Sequence, residues 1–293
     1  METQQKRRLQ LTAYTFVLMQ GLLYGFGDPV SKAAYEILPV YSLLSLRYLL
    51  AVAVMLLFAG RRILKSLRTV SPRVWLVSSI CMGGGYLTSN VAIGLTAATS
   101  VAFLRSLPTV MTPLLAWVVL RRRMALRHIP VQVLVVLGLY LLCGRGGLSS
   151  FGSGEILALL SALLFAGSLV FGETALEQMD PLALTGIQTM LTAVITTVCA
   201  FGWNGGWNLQ LTTVPVWLTI LYLAVPCSFL GILLQNAAMT RVPARVVALM
   251  QCFCPVMTAL FSRLILGERL SPAGIAGALL IVLCVAAEAW MND

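Results

Sequence analysis

From Leu9 onward the chain alternates between long apolar runs and short polar interruptions. The runs are too long for buried strands. Ten can be marked, at about 9–27, 39–60, 74–95, 97–120, 129–144, 155–172, 181–201, 214–238, 243–266 and 271–290, and a helix of about 20 apolar residues crosses the roughly 30 Å of hydrocarbon in a bilayer. The pattern predicts an all-α polytopic membrane protein with ten transmembrane helices. Its connectors are too short to hold a soluble domain. The two longest, the basic stretch 61–73 and the Gly/Ser stretch 144–154, are expected to be loops, and Gly144, Gly146, Gly147, Gly152 and Gly154 suit the second to linking two halves.

The pattern of the first half returns in the second. Laid on itself at an offset of 146 residues, the chain aligns without a gap from Asn90 and Asn236 onward. Val110-Met111-Thr112 falls on Val256-Met257-Thr258, Leu114 on Leu260, Leu120 on Leu266, Arg123 on Arg269, Ile129 on Ile275 and Leu137 on Leu283. Earlier segments repeat more weakly, with Pro39 facing Pro181 and Leu49, Ala51 and Val52 facing Leu191, Ala193 and Val194. The expected units are 1–146 and 147–293, with five helices each, so the second is inverted in the membrane relative to the first. Such duplications are common in secondary transporters, whose substrate site lies between the halves.

Composition agrees: 59% of residues are hydrophobic and 10% charged, against roughly a quarter charged in soluble domains. The net charge of +10 raises nucleic acid as a partner, but the positions of the charges argue against it. Lys6, Arg7 and Arg8 precede the first segment; Arg61, Arg62, Lys65, Arg68 and Arg73 follow the second; Arg121, Arg122, Arg123 and Arg127 follow the fourth. All fall on one side of the membrane if every segment crosses, and the positive-inside rule makes that side the cytoplasm, with both termini there. Arg241 and Arg245 support the rule only weakly in the second half, where Glu173, Glu177 and Asp180 share the same side. The basic flank and apolar run at the N-terminus resemble a signal peptide, but Gly25-Phe26-Gly27-Asp28-Pro29 offers no A-x-A site, so a retained first helix is expected.

Catalytic and metal-binding patterns are missing. His128 is the lone histidine, the seven cysteines fall in apolar segments without a CxxC, and no HExxH, P-loop or nucleophile elbow occurs. No cofactor is expected. Transport without a nucleotide site would draw on a gradient, of protons or another ion, or on exchange.

Gly267-Glu268-Arg269-Leu270-Ser271-Pro272, following Ala244 and the segment that carries Pro255, resembles the end of an EamA-type domain. Asp180-Pro181-Leu182 leading to Gln188, and Leu46-Arg47-Tyr48-Leu49-Leu50-Ala51, resemble the second helices of its two units. The chain thus resembles the drug/metabolite transporter superfamily over nearly its whole length. Arg121-Arg122-Arg123 departs from it where the first unit often carries Gly-Glu. The resemblance implies two inverted five-helix EamA repeats, with helices one to four and six to nine around a central cavity and five and ten outside. It also implies a plasma-membrane carrier of small metabolites, by analogy an exporter working by alternating access. A multidrug exporter for cationic compounds and, more remotely, an intramembrane lipid-modifying enzyme are the alternatives.

Ionisable groups inside spans are costly and so mark functional sites. Arg105 lies about nine residues into the fourth segment, roughly 14 Å along its axis, and Arg47 at similar depth in the second. Asp28 and Glu155 read as near the outer ends of their helices, which leaves no carboxylate at the arginines' depth. Guanidinium grips carboxylates bidentately, so an amino acid or organic anion is the expected substrate. Asn90 and Asn236, at equivalent positions, join Gln188 and Gln251 as amides that can line a polar cavity; Gln20 and Gln235 also lie in spans. Bonding between helices is the competing role for all of these amides. Gly83-Gly84-Gly85, Pro108, Pro113, Pro226 and Pro255 mark close approaches or kinks, and Trp203, Trp207 and Trp217 an outer aromatic belt.

Overall fold

The structure, a computed structural model, describes residues 2–96, 98–121, 129–143, 152–207, 213–266 and 271–291. The expected boundary at 146/147, Arg122, Arg123, Arg127, His128 and Gly267–Leu270 lie outside the described residues.

Helices form where the apolar runs predict them. The first five segments are α1 (Glu2–Tyr35), α2 (Val40–Thr69), α3 (Pro72–Leu95), α4 (Ala98–Arg105) with α5 (Pro108–Leu120), and α6 (Ile129–Cys143). The second five are α7 (Ser153–Leu176), α8 (Pro181–Asn204), α9 (Val214–Tyr222) running through a π-helical segment (Leu223–Gly231) into α10 (Ile232–Met239), α11 (Ala244–Met250) with α12 (Phe253–Leu266), and α13 (Pro272–Met291). Eight of these segments are long and apolar enough to cross a membrane; the shorter α6 and the more polar α1 complete ten. The result is two inverted five-helix repeats.

Three boundaries differ from the sequence expectation. The basic stretch 61–73 is mostly helix, since α2 runs on to Thr69. Arg and Lys are good helix formers and suit the negative end of the helix dipole. Next, α1 continues through Pro29 to Tyr35. A proline removes one N–H, but ending the helix inside a bilayer would strand more backbone groups than that. Finally, the fourth and ninth segments each consist of two helices. The first break, at Ser106-Leu107, precedes Pro108; the second, at Gln251-Cys252, precedes Pro255. At the 146-residue offset Ser106 falls on Cys252, so the two repeats are interrupted at the same place. In the eighth segment Pro226, which has no N–H to donate, sits within the π-helical stretch Leu223–Gly231.

Packing follows the duplication. α2 lies against α8, α6 against α13, and α5 against α11, so each pair joins a segment to its own counterpart. α3 on α7 is matched by α10 and the π-helical segment on α1. These pairings are those of a twofold axis relating the repeats. Glycines set the closest approaches. A Cβ on Gly83 would lie 3.3 Å from the Thr192 Cα, and one on Gly85 2.9 Å from the Phe165 ring. The glycine run therefore lets α3 fit between α7 and α8 while the helix itself stays unbroken.

Candidate functional site

Between the repeats lies a cavity with about 720 Å³ of non-atom space, its open part included. Both interrupted segments face it: Arg105, Ser106 and Pro108 from the first repeat, Gln251, Cys252 and Pro255 from the second. Arg105 and Gln251 are themselves equivalent, 146 residues apart. The two breaks touch, with the Cys252 thiol 3.8 Å from the Ser106 carbonyl oxygen.

One face of α1 is polar, and two of its residues, Gln20 and Tyr24, line the cavity. Gln20, Tyr24, Asp28 and Tyr35, spaced by four, four and seven residues, fall on one helical stripe. Each is bonded to another segment. Gln20 Nε2 donates to Gln235 Oε1 at 3.1 Å, and Gln251 Nε2 donates to Gln20 Oε1 at 3.0 Å and to Gln235 Oε1 at 2.8 Å. The Tyr24 and Tyr86 hydroxyls lie 2.6 Å apart. Asp28 pairs in bidentate fashion with Arg105, with Nη1 donating to Oδ1 at 3.2 Å and Nη2 to Oδ2, and it accepts from Thr258 Oγ1 at 3.0 Å. Tyr35 donates to Asn90 Oδ1.

The adjoining face of α1 is small. A Cβ on Gly25 would lie 2.4 Å from Met257 Cβ and 3.0 Å from the Thr258 nitrogen. This contact with α12 brings Thr258 to Asp28. Gly231 in the π-helical segment likewise makes room for the Tyr24 ring, which would lie 2.6 Å from a Cβ there.

Arg105 therefore does not lack a carboxylate. The sequence placed Asp28 near a helix end because the first apolar run stops at about residue 27, whereas α1 carries Asp28 some seven residues inside its terminus. Arg105 lies equally far into its own segment from Ala98, so the two charges meet at one depth. Their side chains are 23% and 22% exposed.

Of the residues expected at the site, Arg105 and Gln251 line the cavity and the other four do not. Arg47 is 6% exposed; its Nε donates to Ser228 in the π-helical segment at 2.6 Å, and its guanidinium lies 5.4 Å from the Tyr48 ring. Asn90 is held by Tyr35 and donates to the Tyr86 carbonyl. Asn236 donates to Thr185 and Gln188, and Gln188 to Ser78, within one buried network across α3, α8 and α10. These contacts join helix to helix. Tyr24, Tyr86 and Phe165, which form the aromatic side of the cavity, gave no signal in the sequence, where aromatic residues in apolar runs are common.

The profile of the EamA-like transporter family matches residues 11–144 and again 152–287. An uncharacterized transporter of Archaeoglobus fulgidus is 25% identical over 264 residues, covering 90% of this chain and 81% of that protein. The riboflavin transporter ImpX of Fusobacterium nucleatum is 25% identical over 193 residues, 64% of each chain. A crystal structure with 17% sequence identity superposes with a TM-score of 0.77 over 95% of this chain and 96% of the other, a likeness of fold.

Proposed function

The chain belongs to the EamA-like transporter family, and from that premise we propose that it is a secondary transporter carrying a small organic solute of no net charge through the inter-repeat cavity. The zwitterion of an amino acid and neutral metabolites meet that description. The carrying observation is that Arg105, which lines the cavity, is paired with Asp28. An unopposed Arg105 would favour an organic anion, and an unopposed Asp28 the cationic drugs of the alternative reading. Paired, they favour neither. A zwitterion can still exchange with both. Its carboxylate takes the Arg105 N–H groups that Asp28 leaves unused, and its ammonium takes Asp28, with no charge left unopposed at any step.

Transport proceeds by alternating access, in the direction of export and across the plasma membrane, with both termini cytoplasmic. The driving force is the solute's own gradient or that of an ion such as the proton. Lipid modification has little support, because Asp28, the carboxylate beside the cavity-lining Arg105, is already engaged by Arg105 and Thr258. Flux into liposomes containing the purified protein tests the proposal. Zwitterionic and neutral solutes should be carried in preference to organic anions and cations. Selective carriage of either charged class would overturn it.

A further inference from the structure

The three glutamines at the cavity do not use up their own hydrogen-bonding capacity. Gln235 Oε1 accepts twice, Gln251 Nε2 donates twice, and Gln20 uses both ends of its amide. That leaves Gln235 Nε2, a donor, and Gln251 Oε1, an acceptor. Neither has a hydrogen-bond partner among the described residues, and neither is sealed from a water-sized molecule. Gln20 and Gln235 are 1% and 5% exposed, so the mutual bonds fix both amides in place. A donor and an acceptor, one on each amide of the directly bonded Gln235–Gln251 pair, thus belong to a largely apolar cavity that Tyr24, Tyr86 and Phe165 also line. Tyr86 and Phe165 are edge to face with centroids 5.1 Å apart.

We propose that this pair of free amide ends reads a cis-amide edge, the adjacent C=O and N–H of a lactam, imide or nucleobase-like ring, with the flat body of the ring against the aromatic side. Gln235 Nε2 donates to the ligand carbonyl and Gln251 Oε1 accepts from the ligand N–H. The inference rests on the cavity's being the transport site and narrows its solute to one chemical class. Physical necessity supports it: a solute that displaces water here without replacing its bonds leaves two amide groups unpaired. Sites built to pair a polar group reject analogues lacking it more sharply than apolar pockets reject size. Arg105 stays with Asp28 while such a neutral ligand is bound.

The test uses full-length protein in detergent and two neutral probes, isoquinolin-1(2H)-one and its N-methyl derivative, with binding followed by calorimetry. N-methylation removes the N–H and keeps the carbonyl and the ring. The parent lactam should bind about five- to tenfold more tightly. That preference should vanish in Gln251→Met, while Gln235→Met weakens both probes alike. The comparison of probes on the unaltered protein needs no variant to fold. Equal binding of the two probes, a preference that survives Gln251→Met, or no binding of either overturns the inference. Liposome flux of other net-neutral solutes would in those cases still stand for the broader transporter reading, and its absence would remove that reading separately.

Discussion

Asp28 and Arg105 each bring into the membrane a charge that would be costly alone, and each makes the other tolerable. Removing one partner leaves the other unopposed in a partly desolvated site. Asp28→Asn or Arg105→Gln should each lower stability by about 1–3 kcal/mol, less than the roughly 3–5 kcal/mol for a fully buried pair, because both side chains keep some exposure. The double variant should lose clearly less than the sum of the two. Thermal unfolding of the four proteins in detergent checks this, and simple additivity would mean the pair is not formed. Asn236 behaves differently. Asn236→Ala forfeits its bonds to Thr185 and Gln188 and should cost roughly 1–3 kcal/mol, while the KM for a carried solute stays unchanged. A raised KM at full stability would place Asn236 at the solute instead.

At the scale of elements, the closest approaches are made by glycines, and these approaches govern different things. Gly25→Val would drive α1 from α12 at Met257 and Thr258. Overpacking of this kind costs about 1–3 kcal/mol, and here it would also pull Thr258 from Asp28, so both stability and transport should fall. Gly277 faces the Gly138 carbonyl oxygen of α6, 2.5 Å from where its Cβ would stand, away from the cavity. Gly277→Val should lower the melting temperature by a comparable amount and leave solute affinity as it was. The helices themselves were legible from apolar runs, and the repeat from its register. The depth of Asp28 was not, because the apolar run stops at about residue 27 and hydropathy cannot say when a helix continues through polar residues and Pro29 to Tyr35. Nor did periodicity separate Gln251, at the cavity, from Gln188, locked between helices. Both are amides in apolar runs, and only the crossing of the helices decides which one meets open space.

For the molecule as a whole, five segments per repeat require the two repeats to run in opposite senses. A reporter fused after Asp293 should read cytoplasmic and one inserted after residue 149 external; agreement between the two would rule out the inverted arrangement. The equivalence of the repeats does not extend to the residues at the cavity. Where the first places Arg105, the second places Gln251, and the partners follow suit: an ion pair on one side, a ring of amides on the other. A carrier assembled from two identical halves would have two resting states of equal energy, each the mirror of the other. This one has an ion pair on one repeat's interrupted segment and none on the other's. In the proposed alternating-access cycle the two empty states are therefore unequal in energy, because the ion pair at position 105 has no charged counterpart at position 251.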